Sequence, residues 1–449
     1  MTGIPALTLR SITEDDMTAE KALKIGQAVG RSYKNVCVGS DANPSSGMIR
    51  NSLISGLLSS GADVKDAGIM PAPAVALTSK GSGCILMVGE PDKQGLISGV
   101  RIMNPDGSVF TKEQIRQIIK AGEADIMPPD YKGVGTVRAC PSTADEYNSA
   151  ISSKYGKSTD AIVMLDCGCG CTSACAPQIL ASIGADLTAI NAQEDPGYSP
   201  RPPGVDVSDL SKLSEMIDPH LGGIGIALNG DGTKLALMDE GGKYVDPESV
   251  LALLLIYLKP STLVVPFEAS AVVDDAFRDL IGEGMKTGAK AHSERRIFRA
   301  GNDLESITAS MIENNAEMGA MTDGTFIFSD VTMCPDAINA AAILTKISGE
   351  NSISNLLASF PKYIVLKDSV HGPGNIDLFN KKLTEKLKEL DAEEVWEIDG
   401  GRVGMSEGWF AISRNPEDTD YIDITAESRD KAYAVSMMEL AKGIVHGCL

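Results

Sequence analysis

Val36-Cys37-Val38-Gly39-Ser40-Asp41 is a short apolar run closed by glycine, serine and aspartate. Such a run is a buried strand that ends in a tight turn. Before it, residues 19–33 carry Ala22, Leu23, Ile25 and Val29 at helical spacing. After it, residues 49–58 form a second amphipathic helix, and Gly61-Ala62-Asp63-Val64 opens the next strand. Helix and strand alternating at this short period imply a mostly parallel sheet with helices on its faces.

The unit recurs further on. Residues 162–166 read as a strand, 177–183 as a helix, and Gly184-Ala185-Asp186-Leu187 repeats the small-residue turn into a strand. A third strand, Leu263-Val264-Val265-Pro266, follows Pro260 and precedes a helical stretch at 272–281. The last 80 or so residues differ. A charged amphipathic helix at 378–390 is followed by strands at 395–398, 409–412 and 421–425 and a helix at 430–444. Strands in a row between two helices imply an α+β domain. The expected organisation is α/β throughout: three similar α/β domains with mixed, mostly parallel sheets at 1–150, 151–257 and 258–367, then an α+β domain at 368–449.

Composition narrows the function. The 449 residues hold 40 Lys plus Arg against 61 Asp plus Glu, a formal charge of −21. Such a surface repels nucleic-acid phosphates and anionic lipid, so neither is an expected partner. The longest apolar run, residues 250–258, is a buried strand or helix and falls well short of the roughly 20 residues that span a bilayer. No basic start followed by an apolar stretch opens the chain, and nine cysteines in this length do not make a disulfide scaffold. A cytoplasmic location is expected.

Several stretches, in order, resemble the α-D-phosphohexomutase family of phosphomannomutases and phosphoglucomutases. They are Val38-Gly39-Ser40-Asp41 with Ser45-Ser46, Gly68-Ile69-Met70-Pro71-Ala72-Pro73, and Ser98-Gly99-Val100-Arg101 before Asp106-Gly107. Arg201-Pro202-Pro203, Gly225-Ile226-Ala227-Leu228-Asn229-Gly230-Asp231 and Asp239-Glu240-Gly241-Gly242-Lys243 follow. The resemblance implies four domains around a central cleft. It also implies phosphoryl transfer between a phosphoserine and two positions of a sugar phosphate, assisted by a divalent cation on three aspartates.

The motifs that carry this chemistry are altered. The family's T-A-S-H-N-P aligns with Met87-Val88-Gly89-Glu90-Pro91-Asp92, so Gly89 holds the nucleophile position and Glu90 that of the histidine. Ser98 is the nearest hydroxyl, and reads as a turn residue. The metal loop D-G-D-A-D-R becomes Asn229-Gly230-Asp231-Gly232-Thr233-Lys234. Asn229, Asp231 and Thr233 are the candidate Mg²⁺ ligands, but one carboxylate in place of three predicts weak binding. The plainer reading of this loop is a glycine-rich turn between strands. The family's D-T-R is Asp41-Ala42-Asn43, and its F-G-T-x-G-I-R-G start has no counterpart after Thr2-Gly3-Ile4.

The sugar loop G-E-x-S-G-H aligns with Met321-Thr322-Asp323-Gly324-Thr325, leaving Thr322 and Asp323 as candidate hydroxyl contacts. The phosphate loop R-P-S-G-T-E-P aligns with 414–420, where Arg414 and Asn415 are the candidate phosphate contacts, Pro416 and Asp418 replace the hydroxyl donors, and Glu417 and Asp420 add negative charge. Arg101, Lys234 and Arg414 keep positive charge at three former ligand positions.

Cys167, Cys169, Cys171 and Cys175 form C-x-C-x-C-x3-C just after a strand end, where ligands gather in α/β sheets. Four thiols could hold zinc, copper(I) or an iron–sulfur cluster, although the spacing matches no standard pattern. On an extended segment the first three would share one face about 7 Å apart. The plainer reading is a tight turn of small residues. The four histidines, His220, His292, His371 and His446, are scattered.

These residues predict a phosphosugar-related protein with impaired catalysis. It would bind a phosphorylated sugar or similar small anion, or serve as a partner subunit, as a homodimer or with an active paralogue. The first alternative is an active phosphomannomutase- or phosphoglucomutase-type intramolecular phosphotransferase with rearranged groups. The second is a thiolate metal or redox protein.

Overall fold

A computed structural model describes residues 17–89, 99–123, 129–157, 160–195, 197, 199–286, 295–397, 400–415 and 420–449. The chain divides into two compact units, Met1–Tyr257 with Asp323–Leu356, and Leu258–Thr322 with Leu357–Leu449.

The first unit holds two five-stranded sheets. In the first sheet the order is Gly99–Met103, Cys84–Gly89, Asn35–Ser40, Asp63–Ile69 and Val137–Ala139. Its strands are parallel except Gly99–Met103, which runs back against Cys84–Gly89 and pairs Gly89 with Gly99. Asn35–Ser40 lies at the centre, as its apolar run requires, and Val36, Val38, Leu86 and Val88 join one core with Ile49, Leu53 and Leu57. The helices Ala19–Ser32 and Pro44–Ser59 cover this face. The second sheet runs Tyr244–Val245, Leu235–Met238, Ile224–Leu228, Ile162–Asp166 and Asp186–Ile190, parallel at the Ile162–Asp166 side and antiparallel beyond Ile224–Leu228. Both sheets therefore end strands in loops that can meet. The hairpin of Phe326–Phe328 with Thr332–Pro335 also belongs to this unit.

The second unit contains the parallel strands Arg296–Ala300, Thr262–Pro266 and Met318–Ala320. It also contains an antiparallel sheet ordered Ile364–His371, Tyr421–Ser428, Gly408–Arg414, Gly400–Met405 and Glu394–Trp396. The helices Ile376–Lys388 and Lys431–Cys448 pack their apolar sides on this sheet through Phe379, Leu383, Met438 and Val445.

The mixed, mostly parallel sheets and the C-terminal antiparallel sheet agree with the expected class. Several local readings change. The apolar run at 250–258 is the end of a helix, Pro247–Leu258. The Asp246 side chain accepts from the Ser249 amide 2.9 Å away, and Pro247 opens the first turn, so capping decides between helix and strand. In the C-terminal antiparallel sheet two strands escaped the sequence reading. Gly400–Met405 is glycine-rich, and Ile364–His371 is a largely exposed sheet edge whose charged residues mask its alternation. The cysteine segment is not extended. Gly168 and Cys169 both have φ 56°, and Cys171–Ala174 is a short 3-10 helix, which is the tight turn of the plainer reading. No helix among the described residues is long and apolar enough to cross a membrane.

Candidate functional site

Asp41, Gly89, Arg101 and the turn 229–234 all belong to the first unit. Asp41 follows the central strand and Gly89 ends its neighbour, and the Asp41 amide donates to the Val88 carbonyl at 2.8 Å. A β-carbon on Gly89 would lie 3.0 Å from both Cγ and Oδ2 of Asp41. The aspartate thus stands in the space where a side chain at 89 would begin. Its Oδ1 accepts from the Ser46 hydroxyl and, at 3.1 Å, from the Asn43 amide. Asp41 is 7% exposed.

Arg101 lies on the strand paired with the one that ends at Gly89, and its Nη1 is 3.3 Å from Asp231 Oδ2. The turn that carries Asp231 joins Ile224–Leu228 to Leu235–Met238, the strand–strand turn that its glycines imply. Gly232 has φ 78°, a conformation that glycine adopts without strain. The turn is stapled from within. Asp231 Oδ1 accepts from Asn229 Nδ2 at 2.9 Å, Thr233 Oγ1 at 2.6 Å and the Thr233 amide at 3.1 Å. Asn229 Oδ1 accepts the Thr233 and Lys234 amides, each at 2.9 Å.

These residues do not fit the divalent cation that the resemblance implies. One Asp231 oxygen is taken up by three donors and the other by a guanidinium. Among the described residues no group of three or more His, Cys, Asp or Glu gathers as metal ligands. The candidate Mg²⁺ set of Asn229, Asp231 and Thr233 forms a hydrogen-bonded turn, in which Arg101 supplies positive charge beside the one carboxylate.

Lys234 pairs with Asp323 at 3.2 Å, and the two turns are tied by the Leu235 amide donating to the Gly324 carbonyl at 3.1 Å. The former metal loop and the former sugar loop thus meet through an ion pair. Thr322, next to Asp323, is half-buried. Arg414 and Asn415 belong to the second unit, at the end of Gly408–Arg414. Arg414 is exposed, and Asn415 is held by its amide on the Tyr421 carbonyl at 2.9 Å and its Nδ2 on Asp423 at 3.1 Å. Glu90, Ser98 and residues 416–419 lie outside the described residues.

The four cysteine candidates do not gather as a metal-ligand group among the described residues. Cys167, Cys169, Cys171 and Cys175 are buried and free of disulfides. Burial pushes the thiols of Cys167 and Cys175 up to about 12, that of Cys171 well above its ordinary value, and that of Cys169 up. Protonated thiols are poor nucleophiles. Cys171 Sγ instead donates to the Gly230 carbonyl at 3.0 Å and helps fix the turn that carries Asp231. His220, His371 and His446 are exposed, and His292 lies outside the described residues.

Sequence reasoning missed Asp41 as a member of this cluster. The signal was its place at a strand's C-terminal end, where α/β proteins put their ligand crevice.

Residues 8–126 match the family model for phosphoglucomutase/phosphomannomutase, alpha/beta/alpha domain I. The chain is 29% identical over 444 residues to a probable phosphoglucosamine mutase of Methanocella arvoryzae, covering 98% of this chain and 97% of the relative. It is 27% identical to a probable phosphoglucosamine mutase of Pyrococcus horikoshii, covering 97% and 96%. Among solved structures it is similar to a phosphoglucomutase/phosphomannomutase family protein from Burkholderia thailandensis, with TM-score 0.81, 19% identity, and 98% and 95% of the two chains covered. A putative phosphomannomutase from Thermus thermophilus gives TM-score 0.75 at 15% identity, covering 99% and 100%.

Proposed function

The chain belongs to the α-D-phosphohexomutase family, and from that premise we propose that it is a phosphosugar mutase with rearranged catalytic groups. Its substrate class is a phosphorylated hexose or hexosamine. The observation that carries this reading is the extent of the likeness: relatives named as probable phosphoglucosamine mutases align with nearly the whole chain and nearly their own whole length. Loss of the nucleophile at Gly89, of the histidine and of the metal carboxylates had pointed to impaired catalysis; the extent of the likeness favours the working mutase.

A mutase without the family's serine needs another oxygen at the same place. Asp41 Oδ2 is the oxygen that stands against Gly89, so we assign it as the phosphoryl acceptor. In this scheme Oδ2 attacks phosphorus of a hexose bisphosphate. The P–O bond to the sugar breaks with its electron pair on the sugar oxygen, which takes a proton from solvent. An acyl phosphate remains on Asp41. A hydroxyl of the monophosphate then takes up that phosphoryl group, losing its proton to solvent and freeing the carboxylate. Arg101 steadies charge on the transferring group but does not move protons, because a guanidinium stays protonated.

The test is conversion of glucosamine 6-phosphate, glucose 6-phosphate and mannose 6-phosphate, each primed with its bisphosphate and followed by phosphorus NMR. Interconversion with the 1-phosphate for at least one sugar is expected. The second reading is a phosphosugar-binding or partner subunit, assembled with itself or with an active paralogue. The pairing of Arg101 with Asp231 and the absence of a hydroxyl at Gly89 favour it. Phosphosugars raising the melting temperature with no conversion would replace the first reading by the second.

A further inference from the structure

The second unit carries an open pocket of about 720 Å³ that, among the described residues, none of the phosphosugar motifs lines. Seven acidic and four basic residues line it, together with both tryptophans of the chain, Trp396 and Trp409. All four guanidiniums are already engaged, Arg278 through Asp275 at 3.9 Å. Arg299 holds Asp274 at 2.5 Å, Arg429 holds Asp275 at 2.5 Å, and Arg402 donates to the Phe267 and Ala269 carbonyls at 2.8 and 2.7 Å while lying 3.8 Å over the Trp409 ring. The lining therefore keeps an excess of carboxylate.

Glu427 marks where that excess acts. It is 1% exposed, and its Oε1 accepts from the Ala271 amide at 2.8 Å and from Trp409 Nε1 at 3.0 Å. Its Oε2 is buried without a hydrogen-bond partner among the described residues. Buried carboxylate oxygens are almost always paired, because an unmatched one forfeits its hydration for nothing. A donor brought in from outside would complete the set.

We propose that this cavity binds a small organic amine, whose ammonium donates to Glu427 Oε2 and whose carbon chain lies beside the tryptophans. The charge excess selects a cation over an anion, and the aromatic lining favours an organic cation over a metal ion.

The two tryptophans make the site its own reporter. The full chain would be titrated with butylamine and with putrescine while tryptophan fluorescence is followed, using butanol and inorganic phosphate as controls. A saturable change with the amines alone is expected, weakened about tenfold or more in Glu427→Gln, which keeps the Oε1 acceptor. Glu407→Arg, an exposed change on the cavity wall, adds a cation without touching the core and is expected to weaken amine binding severalfold. No saturable change, an equal response to butanol or phosphate, or amine binding unaltered in a folded Glu407→Arg chain would overturn the proposal. Mutase activity is a separate measurement, so failure here leaves the phosphosugar reading untouched.

Discussion

The Asp41 carboxylate leans over Gly89, so closely that a β-carbon at 89 would stand 3.0 Å from its Cγ and Oδ2. The two positions are coupled: the aspartate keeps its place because residue 89 has no side chain. Gly89→Ala is therefore expected to displace Asp41 and to cost roughly 1–3 kcal/mol, the usual range for overfilling a packed site. Chemical denaturation measures it. Gly89→Ser restores a hydroxyl but pushes the carboxylate aside, so it is expected to lower activity. Unchanged stability in Gly89→Ala would mean that the space is looser than the geometry says.

Arg101 and Asp231 form the second link in this cluster, with 15% and 2% of their side chains exposed. Removing the guanidinium leaves a buried carboxylate without its counter-charge. Arg101→Met should destabilise the chain by roughly 2–4 kcal/mol and abolish phosphosugar-dependent thermal stabilisation. Adding Asp231→Asn should recover part of the stability, since the stranded charge is then gone. A double-mutant cycle measures the coupling; strict additivity would contradict the pairing.

Asp336 gives the first unit a pH dependence. It caps the helix Ala337–Glu350, accepts the Tyr147 hydroxyl at 2.6 Å, and has an Oδ2 that is buried without a partner among the described residues. Burial pushes its carboxyl up to about 6. The folded chain therefore holds this proton across a window, from about 4 to about 6, in which the unfolded chain has released it. Stability from this group falls as pH rises through that window, by up to roughly 3 kcal/mol. Asp336→Asn keeps the capping oxygen and removes the charge. Its melting temperature, relative to the parent, should climb between pH 4 and pH 6.5; a constant difference would refute the buried-charge account.

Burial of the thiols predicts slow chemistry. Eight of the nine cysteines are buried, and Cys140 is the partly exposed one. A thiol reagent should titrate about one group quickly in the folded chain, and the remaining eight only on unfolding. Anaerobically purified protein should carry only substoichiometric zinc, copper or iron. A stoichiometric metal, lost in Cys171→Ser, would restore the metal-site reading.

Strands bounded by glycine and aspartate, such as Asn35–Ser40 and Ile162–Asp166, could be read directly because burial on both faces leaves an unbroken apolar run. Gly400–Met405 could not be, because its strand character comes from its neighbours rather than its residues. The site divides the same way. The loss of hydroxyl and carboxylates at Gly89, Asn229 and Thr233 is visible one residue at a time. What fills the vacated roles is not: Arg101 and Asp231 are 130 positions apart. Asp41 over Gly89 and Lys234 on Asp323 are likewise tertiary facts. Glu427 drew no reading from the sequence, because only the fold brings Trp409 and Ala271 around one of its oxygens.

The most direct test of the central claim is the covalent state of Asp41 during turnover. Protein mixed with a hexose bisphosphate, quenched in acid and digested should yield the peptide containing Asp41 with one added phosphoryl group, labile to hydroxylamine and absent from Asp41→Asn. An unmodified Asp41 in a preparation that interconverts sugar phosphates would contradict the assignment and send the search for the acceptor elsewhere.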